Sequence, residues 1–255
     1  MTLSLFPTIA VWFSCGAASA VAAKLTLDKY QGDYDVRIVN NPVVEEDPDN
    51  RRFLHDVEEW LGVRIETATN PDYPFPSAEE VWHRRQYMSD ANGAPCTQEL
   101  KKRVRQIWEK QHRPAWHVLG FTAEEQGRFD RFKLLERDNI LPVLIDAGLT
   151  KQDCADMLIK AGIAPPRIYL DGYPNANCIG CVKATSPTYW NLVREKHPDV
   201  FHRRAVQSRE LGAKLVRVNN ERIFLDELPA DAVGRPLKTM QIDCGLFCEE
   251  PEEAA

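Results

Sequence analysis

The sequence predicts an α/β fold: a doubly wound, mostly parallel sheet with helices on both of its faces. Short apolar segments alternate with segments of helical periodicity along most of the chain, which is the pattern of repeated strand–helix units. The first unit is the most regular, with an apolar strand at residues 9–13, a turn of small residues, and an alanine-rich helix at residues 17–27. Folds of this class bind their ligands beyond the carboxyl ends of the strands.

The other elements follow from the same periodicities. Strands are predicted at residues 34–39, 63–67 and 115–120, a short apolar segment at 141–145, and helices at 51–61, 78–88, 97–111, from about 122, 150–161 and from 186. Thr150 is the expected N-cap of its helix, with Asp153 in the first turn. A hairpin is expected around Asn219-Asn220. These elements predict an α/β domain at residues 1–227 and an irregular tail at residues 228–255.

Composition excludes several classes of protein. The 255 residues carry 32 basic and 38 acidic side chains, a net charge of −6, with 44% hydrophobic and 27% charged residues. These are ordinary values for a soluble globular protein, so disorder, collagen and coiled coil are excluded. The acidic balance argues against a protein that coats nucleic acid by charge alone. Seven cysteines, an odd number, argue against a secreted disulfide framework and for the reducing cytoplasm.

The first twenty residues have an alternative interpretation as a secretory signal, since an apolar run precedes Ala-Ser-Ala. However, no Lys or Arg occurs before Lys24, and the run contains Pro7 and is too short to span a membrane. A buried strand followed by a turn and a helix is the favoured interpretation, and no membrane association is expected.

Two segments that follow predicted strands are candidate anion sites. Ser14–Ser19 (SCGAAS) precedes a helix, and a helix N-terminus offers unpaired N–H groups to an anion. Gly120–Arg128 (GFTAEEQGR) follows another strand, so both segments should line one cleft. Each has a simpler interpretation: the first as a tight turn, and the second with Arg128 paired to Glu124 on its own helix.

Thiol groups form the other candidate site. Cys178 and Cys181 are spaced as a C-x-x-C in a loop, a pattern that holds zinc, holds an iron–sulfur cluster, or cycles as a dithiol. Two thiols do not complete a metal site, so distant cysteines must contribute. The candidates are Cys15, Cys96, Cys244 and Cys248. Cys154 lies within an apolar helical pattern, which predicts a core residue.

The C-terminal pair has two interpretations of equal weight. Cys244 in a mobile tail suits a nucleophile that swings into a cleft, and the spacing of Cys244 and Cys248 also suits half of a zinc site. Upstream, Lys101 lies in a helix with a dense cationic face, whose default interpretation is solvated surface.

Taken in order, these motifs resemble those of the sulfonucleotide reductases (PAPS and APS reductases) within the adenine-nucleotide alpha-hydrolase, or PP-loop, superfamily. The resemblance is greatest to the PAPS reductase-like proteins of bacteriophages and prophages, and it spans about residues 8–248. SCGAAS is similar to S-G-G-x-D-S, CTQELK to C-C-x-x-x-K, GFTAEEQGR to G-x-R-x-x-E-x-x-x-R, and DCGLF to E-C-G-L-H. IYLDGYPNANCIGCV is similar to the stretch that runs from a substrate-side Tyr and Gly to the C-x-x-C of the cluster-bearing branch.

Several positions depart from the family pattern. Ala17 and Ala18 replace a Lys and an Asp, Cys15 a Gly, Thr97 the second Cys of a pair, Thr122 an Arg, and Phe247 the final His. The lost Asp makes ATP pyrophosphatase chemistry a poor expectation. A cysteine at a helix N-terminus is expected to have a lowered pKa, which would make Cys15 reactive.

The resemblance implies reduction of an adenylylated or phosphoadenylylated sulfate to sulfite. It implies that Ser14, Cys15, Gly16, Ser19 and Gly120 hold the nucleotide phosphates, and that Lys101 and Arg128 face the sulfate. Cys244 would be the nucleophile, and a thioredoxin- or glutaredoxin-like protein the reductant. A 4Fe-4S cluster, or alternatively zinc, would be held by Cys96, Cys178 and Cys181, with Cys248, Cys244 or an exogenous group as the fourth ligand. A homodimer is possible under this resemblance.

Two alternatives remain open. One is a sulfur transferase that thiolates RNA or DNA with a cluster held by three cysteines, in which case nucleic acid is a partner. The other is a phage accessory protein that binds a nucleotide without turnover, in the host cytoplasm. The altered residues of the first loop favour this second alternative.

Overall fold

The structure is a computed structural model that describes residues 6–90 and 93–241. Its central sheet has five parallel strands in the order β3-β2-β1-β4-β5. The strands are β1 (Thr8–Phe13), β2 (Asp35–Asn40), β3 (Glu66–Thr67), β4 (Trp116–Val118) and β5 (Ile140–Leu141). The predicted doubly wound α/β class is therefore confirmed. The strand order reverses between β1 and β4, which is where such sheets form a ligand cleft.

Helices cover both faces of this sheet. They are α1 (Ala17–Tyr30), α2 (Asn50–Leu61), α3 (Ala78–Arg85), α4 (Pro95–Thr97), α5 (Arg103–His112), α6 (Gln126–Leu135), α7 (Val143–Asp146), α8 (Lys151–Lys160), α9 (Pro187–Lys196) and α10 (Pro198–Glu210). Short 3₁₀ turns lie at Ala123–Glu125, Arg167–Tyr169 and Leu225–Glu227. None of the helices in the described ranges is long and apolar enough to cross a membrane.

The central position of strand β1 in the sheet explains why residues 9–13 are apolar without interruption. The strand lies in the middle of the sheet, so both of its faces are covered. Ile9, Val11 and Phe13 belong to the large core that includes the inner face of α1, whereas Ala10 and Trp12 pack with Trp108 of α5 on the opposite face. The predicted buried strand is confirmed.

Several local predictions are also confirmed. The Thr150 hydroxyl accepts the backbone N–H of Asp153 at 3.1 Å and caps α8. A hairpin of β6 (Val216–Val218) and β7 (Glu221–Ile223) turns at Asn219 and Asn220, whose φ angles of 47° and 67° are those of a tight hairpin turn.

Three predicted elements differ from the structure. The helix expected at residues 97–111 contains a π-helical segment at Gln98–Lys102 between α4 and α5. The apolar segment at 141–145 is divided by Pro142 into the end of β5 and helix α7. Beyond Ser186 the chain forms two helices, because Pro198 cannot continue α9 and instead begins α10. Residues 228–241 form no regular element, and Cys244 and Cys248 lie outside the described residues.

Candidate functional site

The segments after β1 and β4 lie in contact at the carboxyl edge of the sheet. A β-carbon added to Gly120 would lie 3.0 Å from the backbone nitrogen of Ser19 and 3.1 Å from the carbonyl carbon of Ala18. A residue with a side chain at this position would therefore push the two segments apart. The structure brings Gly120 and the first strand-end loop (Ser14–Ser19) together, as the sequence predicts.

The first strand-end loop is closed by Ser19. Its Oγ accepts the backbone N–H groups of Ser14 at 3.1 Å and Gly16 at 3.3 Å, and donates to the carbonyl of Gly16 at 2.8 Å. Ser14 is exposed and donates its hydroxyl to the same oxygen at 3.3 Å. This network uses the N–H groups of Ser14 and Gly16 within the loop itself.

The Tyr169 hydroxyl is hydrogen-bonded to one of the N–H groups at this helix terminus. It accepts the backbone N–H of Ala17 at 3.2 Å and lies 3.2 Å from where a β-carbon on Gly16 would be. Burial raises the pKa of Tyr169 to about 12, so the phenol keeps a proton that it can donate. The neighbouring N–H of Ala18 has no partner within the described ranges. An anion here would meet the Ala18 N–H, the Ser14 hydroxyl and the phenol of Tyr169.

Cys15 differs from the prediction. Its backbone is left-handed, with a φ of 53°, at the position where the resembled family has Gly. The side chain is buried, and its Sγ lies 3.5 Å from the amide nitrogen of Asn40 at the end of β2. Burial raises the pKa of Cys15 to about 12, and Glu46 adds to the rise, while Lys101 and Asn40 oppose it. The expectation of a lowered pKa at Cys15 is therefore wrong, because the cost of burying the charge exceeds the opposing effects of Lys101 and Asn40.

Lys101 joins the first strand-end loop to the thiols. It lies in the π-helical segment, an arrangement common at functional sites. Its ammonium group donates to the carbonyl of Asn41 and to Oε1 of Glu46 at 2.9 Å. Burial lowers the pKa of Lys101, but Glu46 and then Cys178 raise it more, so the pKa is raised and the side chain stays a cation. The charge of Lys101 lowers the pKa of both Cys15 and Cys178, although burial raises each pKa more.

Two of the predicted metal ligands, Cys178 and Cys181, share one loop near this lysine, and the third lies within electrostatic range of Cys181. Cys96 lies in α4, and its thiol interacts with that of Cys181, which in turn interacts with that of Cys178. Burial raises the pKa of Cys96 and raises that of Cys178 well above its ordinary value. The described cysteines form no disulfides. Cys154 is fully buried, as predicted for a core residue.

The thiol loop (Cys178–Cys181) is held by side chains from other elements. Tyr189 Oη accepts the backbone N–H of Cys181 at 2.8 Å, and the N–H of Ile179 donates to the carbonyl of Glu45 at 2.8 Å. Nε of the fully buried Arg204 donates to the carbonyl of Gly180 at 3.4 Å. Gly180 has a φ of 68°, and a β-carbon there would lie 2.9 Å from Val200.

Some features of this environment favour a metal centre and others do not. Cys96, Cys178 and Cys181 supply the thiolate donors that zinc and iron–sulfur clusters use, and binding would release the protons that burial now keeps on Cys96 and Cys178. The indole N–H of Trp82 is buried beside Cys96 with no hydrogen-bond partner in the described part of the chain. Within that same part, no group of three or more His, Cys, Asp or Glu side chains could hold a metal ion. The three cysteines are suitable donors for zinc or an iron–sulfur cluster, and which of these groups binds stays a prediction.

Arg128 has a different partner from the one expected. It lies in the first turn of α6 and pairs at 2.6 Å with Glu125, three residues earlier, instead of Glu124. Its guanidinium lies 5.2 Å from the ring centroid of Phe121, and the side chain is 67% exposed. Thr122, where the resembled family has Arg, is buried and hydrogen-bonded to both glutamates. Arg128 is thus near the segment after β4 but is held by its own helix.

Three residues near the site have no counterpart among the sequence predictions: Glu46, Trp82 and Arg204. Glu46 follows β2, and the rule that strand-end loops share one edge of a parallel sheet could have identified it. Trp82 and Arg204 come from two helices, and no local pattern distinguishes them from core residues. Tyr169 lies in the segment IYLDG, where the resemblance implies a substrate-side Tyr.

Comparison with known proteins assigns no family, since no model of a known protein family matches the chain and a search of curated proteins returns no match. The functional interpretation therefore depends on the motifs and on the geometry described above.

Proposed function

We propose that this protein is a sulfonucleotide reductase-like enzyme that releases sulfite from an adenylylated or phosphoadenylylated sulfate. The observation that carries the proposal is the position of Lys101. Its ammonium group bonds to Asn41, next to the Asn40 amide that contacts Cys15 of the first strand-end loop. It also bonds to Glu46, next to the Glu45 carbonyl that accepts the N–H of Ile179 in the thiol loop. A substrate with phosphate and sulfate groups close together has the charge distribution that this edge of the sheet fits.

The chemistry assigns one step to Cys244. Its thiolate attacks the sulfur of the sulfate group, and the bond from that sulfur to the bridging phosphate oxygen breaks. The nucleotide leaves with the bonding electrons, and the enzyme keeps a Cys–S–SO₃⁻ group. A thiolate of a thioredoxin-like protein then attacks the Cys244 sulfur and releases sulfite, and a second thiol of that protein resolves the mixed disulfide. Lys101 and the donors of the first strand-end loop offset charge on the leaving phosphate.

The end of the described chain supports access of Cys244 to this edge. The backbone N–H and carbonyl of Gln241 bond to the side chain of Gln152 at 2.9 and 2.8 Å. Gln152 lies in the first turn of α8, where the Lys151 N–H donates to Glu124 of the segment after β4 at 3.0 Å. Only two residues separate Gln241 from Cys244, so the three steps of chain between them span at most about 11 Å.

A metal centre forms part of the proposal. Cys96, Cys178 and Cys181 would hold it, as a 4Fe-4S cluster in preference to zinc, and when bound it would fasten the thiol loop to α4. We expect protein purified without oxygen to contain iron and sulfide and to have a visible absorption band. Zinc alone would keep the site and exclude the cluster, and neither metal would contradict this part of the proposal.

The decisive experiment compares Cys244→Ser with Cys248→Ser. Each protein is incubated without oxygen with thioredoxin, thioredoxin reductase and either of the two sulfonucleotides, and sulfite is measured. Wild type should release sulfite from one of them, and Cys244→Ser should release none while keeping its nucleotide affinity and metal content. Cys248→Ser should retain turnover. No sulfite from wild type with either substrate would contradict the proposal, and loss of metal in Cys244→Ser would make Cys244 a ligand.

A sulfur transferase acting on RNA or DNA is the second candidate function. The observation that favours it is that thiols from α4 and the thiol loop lie within electrostatic range of one another, and a cluster held by three of them would leave one position open to carry sulfide. In that case sulfite will not form, and loss of Cys178 or Cys181 will matter more than loss of Cys244. The internal use of two N–H groups at the N-terminus of α1 favours a third candidate, a nucleotide-binding protein without turnover. Nucleotide binding without sulfite release or base thiolation would identify it.

A further inference from the structure

Arg105 is a half-buried cation in the first turn of α5. Its guanidinium lies 5.9 Å from the ring centroid of Trp12, the last residue but one of β1. Trp12 packs with Trp108 of α5, on the side of the sheet opposite to α1. Because the strand order reverses between β1 and β4, Arg105 lies near the carboxyl end of a strand that borders the cleft.

Arg105 has no oxygen atom as a partner among residues 6–90 and 93–241. The other half-buried arginines in these ranges each lie close to one: Arg37 at 2.5 Å from Glu66, Arg52 at 2.7 Å from Asp49, Arg137 at 2.9 Å from Glu109, and Arg194 at 2.7 Å from the carbonyl of Leu228. A charge that is withdrawn from water is unfavourable unless it is paired. The exception at Arg105 therefore calls for an anionic acceptor that these residues do not supply.

The charged groups around Arg105 do not balance its charge. Burial lowers the pKa of Arg105 and the nearby Arg137 lowers it further, whereas Glu109 and Glu136 oppose the fall. Both carboxylates already have a cation, since Glu109 lies 2.9 Å from Arg137 and Glu136 accepts the ammonium group of Lys102. One positive charge, that of Arg105, is left over in this cluster.

The position and chemistry of this charge suit a phosphate group. A guanidinium on an aromatic ring keeps its fork of N–H donors for an anion, and a phosphate monoester brings nearly two negative charges at neutral pH. Lys101, four residues earlier, bonds to Asn41 after β2, and side chains at this spacing begin about 5–6 Å apart. The two cations therefore lie at the same edge of the sheet.

We propose that Arg105 anchors a second anion site, on the α5 side of the cleft, which binds a phosphate group. This phosphate has two possible sources: a second phosphate on the adenine nucleotide, or inorganic phosphate that binds apart from the nucleotide. Only the first source rests on the proposed function, and it would make the phosphoadenylylated sulfate the substrate.

The test compares Arg105→Met with Arg103→Met in the full chain. Methionine keeps an apolar stem against Trp12 and removes the charge. Arg103 is the matched control, because it is exposed on the same helix and has no carboxylate partner in the described part of the chain. Should Arg105→Met not fold, Arg105→Gln takes its place.

Two quantities are measured for wild type and each variant. Calorimetry gives the affinities for adenosine 5′-monophosphate and adenosine 3′,5′-bisphosphate. Thermal unfolding gives the gain in midpoint in sodium phosphate over sodium chloride of equal ionic strength. Each quantity is a difference within one protein, so a change in folding stability does not alter it.

We expect wild type and Arg103→Met to bind the bisphosphate about tenfold more tightly than the monophosphate, and Arg105→Met to lose this preference. That result would assign the site to the second phosphate of the nucleotide. Equal affinities in all proteins, with a gain in phosphate that Arg105→Met alone loses, would support the site with inorganic phosphate as its ligand. Neither difference in wild type, or an equal loss in Arg103→Met, would overturn the site. A protein that binds phosphate through Arg105 but releases no sulfite would keep the site and contradict only the proposed function.

Discussion

The first strand-end loop and the thiol loop are both irregular backbone at one edge of the sheet, yet they are held in different ways. In the first, most hydrogen bonds join residues of the loop itself, through Ser19. In the second, the backbone is held by side chains and a carbonyl from outside the loop, namely those of Tyr189 and Arg204 and that of the distant Glu45. The first conformation follows from the strand and helix on either side, whereas the second requires the rest of the fold.

In spite of this difference, the pKa of a cysteine is shifted in the same direction in both loops. Burial raises the pKa of Cys15 in the first loop and of Cys178 in the second, and Lys101 opposes the rise in both cases. A metal ion can displace the protons of Cys178 and its neighbours, but Cys15 has no such partner in the proposed function. Burial therefore keeps Cys178 protonated until a metal binds, whereas it makes Cys15 unreactive.

The largest expected effect concerns Cys15. Its pKa of about 12, against an ordinary value of 9.0, leaves it roughly a thousandfold less thiolate than an exposed cysteine at the same pH. Iodoacetamide at pH 8 should therefore modify Cys15 in the folded protein about a thousandfold more slowly than in urea. Mass spectrometry of its peptide measures the rate, and Cys154, with the same raised pKa, is the matched control. Labelling of Cys15 alone at the unfolded rate would show a reactive thiol in the first strand-end loop.

Glu79 tests the support of the thiol loop. Glu79→Ala leaves the fully buried Arg204 without its carboxylate, so the free energy of unfolding should fall by about 2–4 kcal/mol, less than for a fully buried pair because Glu79 is 27% exposed. Chemical denaturation measures this change. Glu80→Ala on the same helix is the control, since Glu80 pairs only with the exposed Arg84. An equal loss in both variants would contradict the role given to Arg204.

The same variant predicts a pH dependence. Burial raises the pKa of Glu79, but Arg204 and Gln207 outweigh it, so the pKa is lowered from 4.5. A carboxylate with a depressed folded pKa contributes stability above its unfolded pKa and loses it as the pH falls through the folded value. The stability difference between wild type and Glu79→Ala should therefore be constant near neutral pH and shrink below about pH 4.5. A difference that is constant down to pH 2 would exclude the ion pair as its source.

Sequence patterns predict the parts of this molecule that local physics determines. The apolar run of β1, the Thr150 cap and the Asn219-Asn220 turn follow from burial, hydrogen bonding and backbone conformation within a few residues. The two strand-end segments meet as expected because parallel strands end at one edge. The pKa of Cys15 and the pairing of Lys101 with Glu46 were missed, since they depend on burial and on a carboxylate 55 residues away in the chain.

Gly120 tests the contact between the two strand-end segments. In Gly120→Ala the new β-carbon meets backbone atoms of Ala18 and Ser19, which cannot rotate away, so the free energy of unfolding should fall by about 1–3 kcal/mol. Adenine-nucleotide affinity should fall with it, because the N-terminus of α1 moves. Gly127→Ala in α6 is the control: its β-carbon meets open space, and helix propensity predicts a gain of about 0.5–1 kcal/mol. A Gly120→Ala protein with wild-type stability would contradict the close approach.

Arg128 gives the smallest expected change in stability and the sharpest test of which groups face the nucleotide. Its pair with Glu125 is exposed, so Arg128→Ala should change the free energy of unfolding by less than about 1 kcal/mol. If the guanidinium leaves Glu125 to contact a phosphate or sulfate, the variant should bind an adenine nucleotide more weakly by about 1–3 kcal/mol, as measured by calorimetry. Arg131→Ala removes the same charge from an exposed position on α6 and should leave the affinity unchanged. Equal losses in both variants would mean that α6 attracts the nucleotide only through its overall charge, and no loss in either would confine the anion site to the first strand-end loop and Lys101.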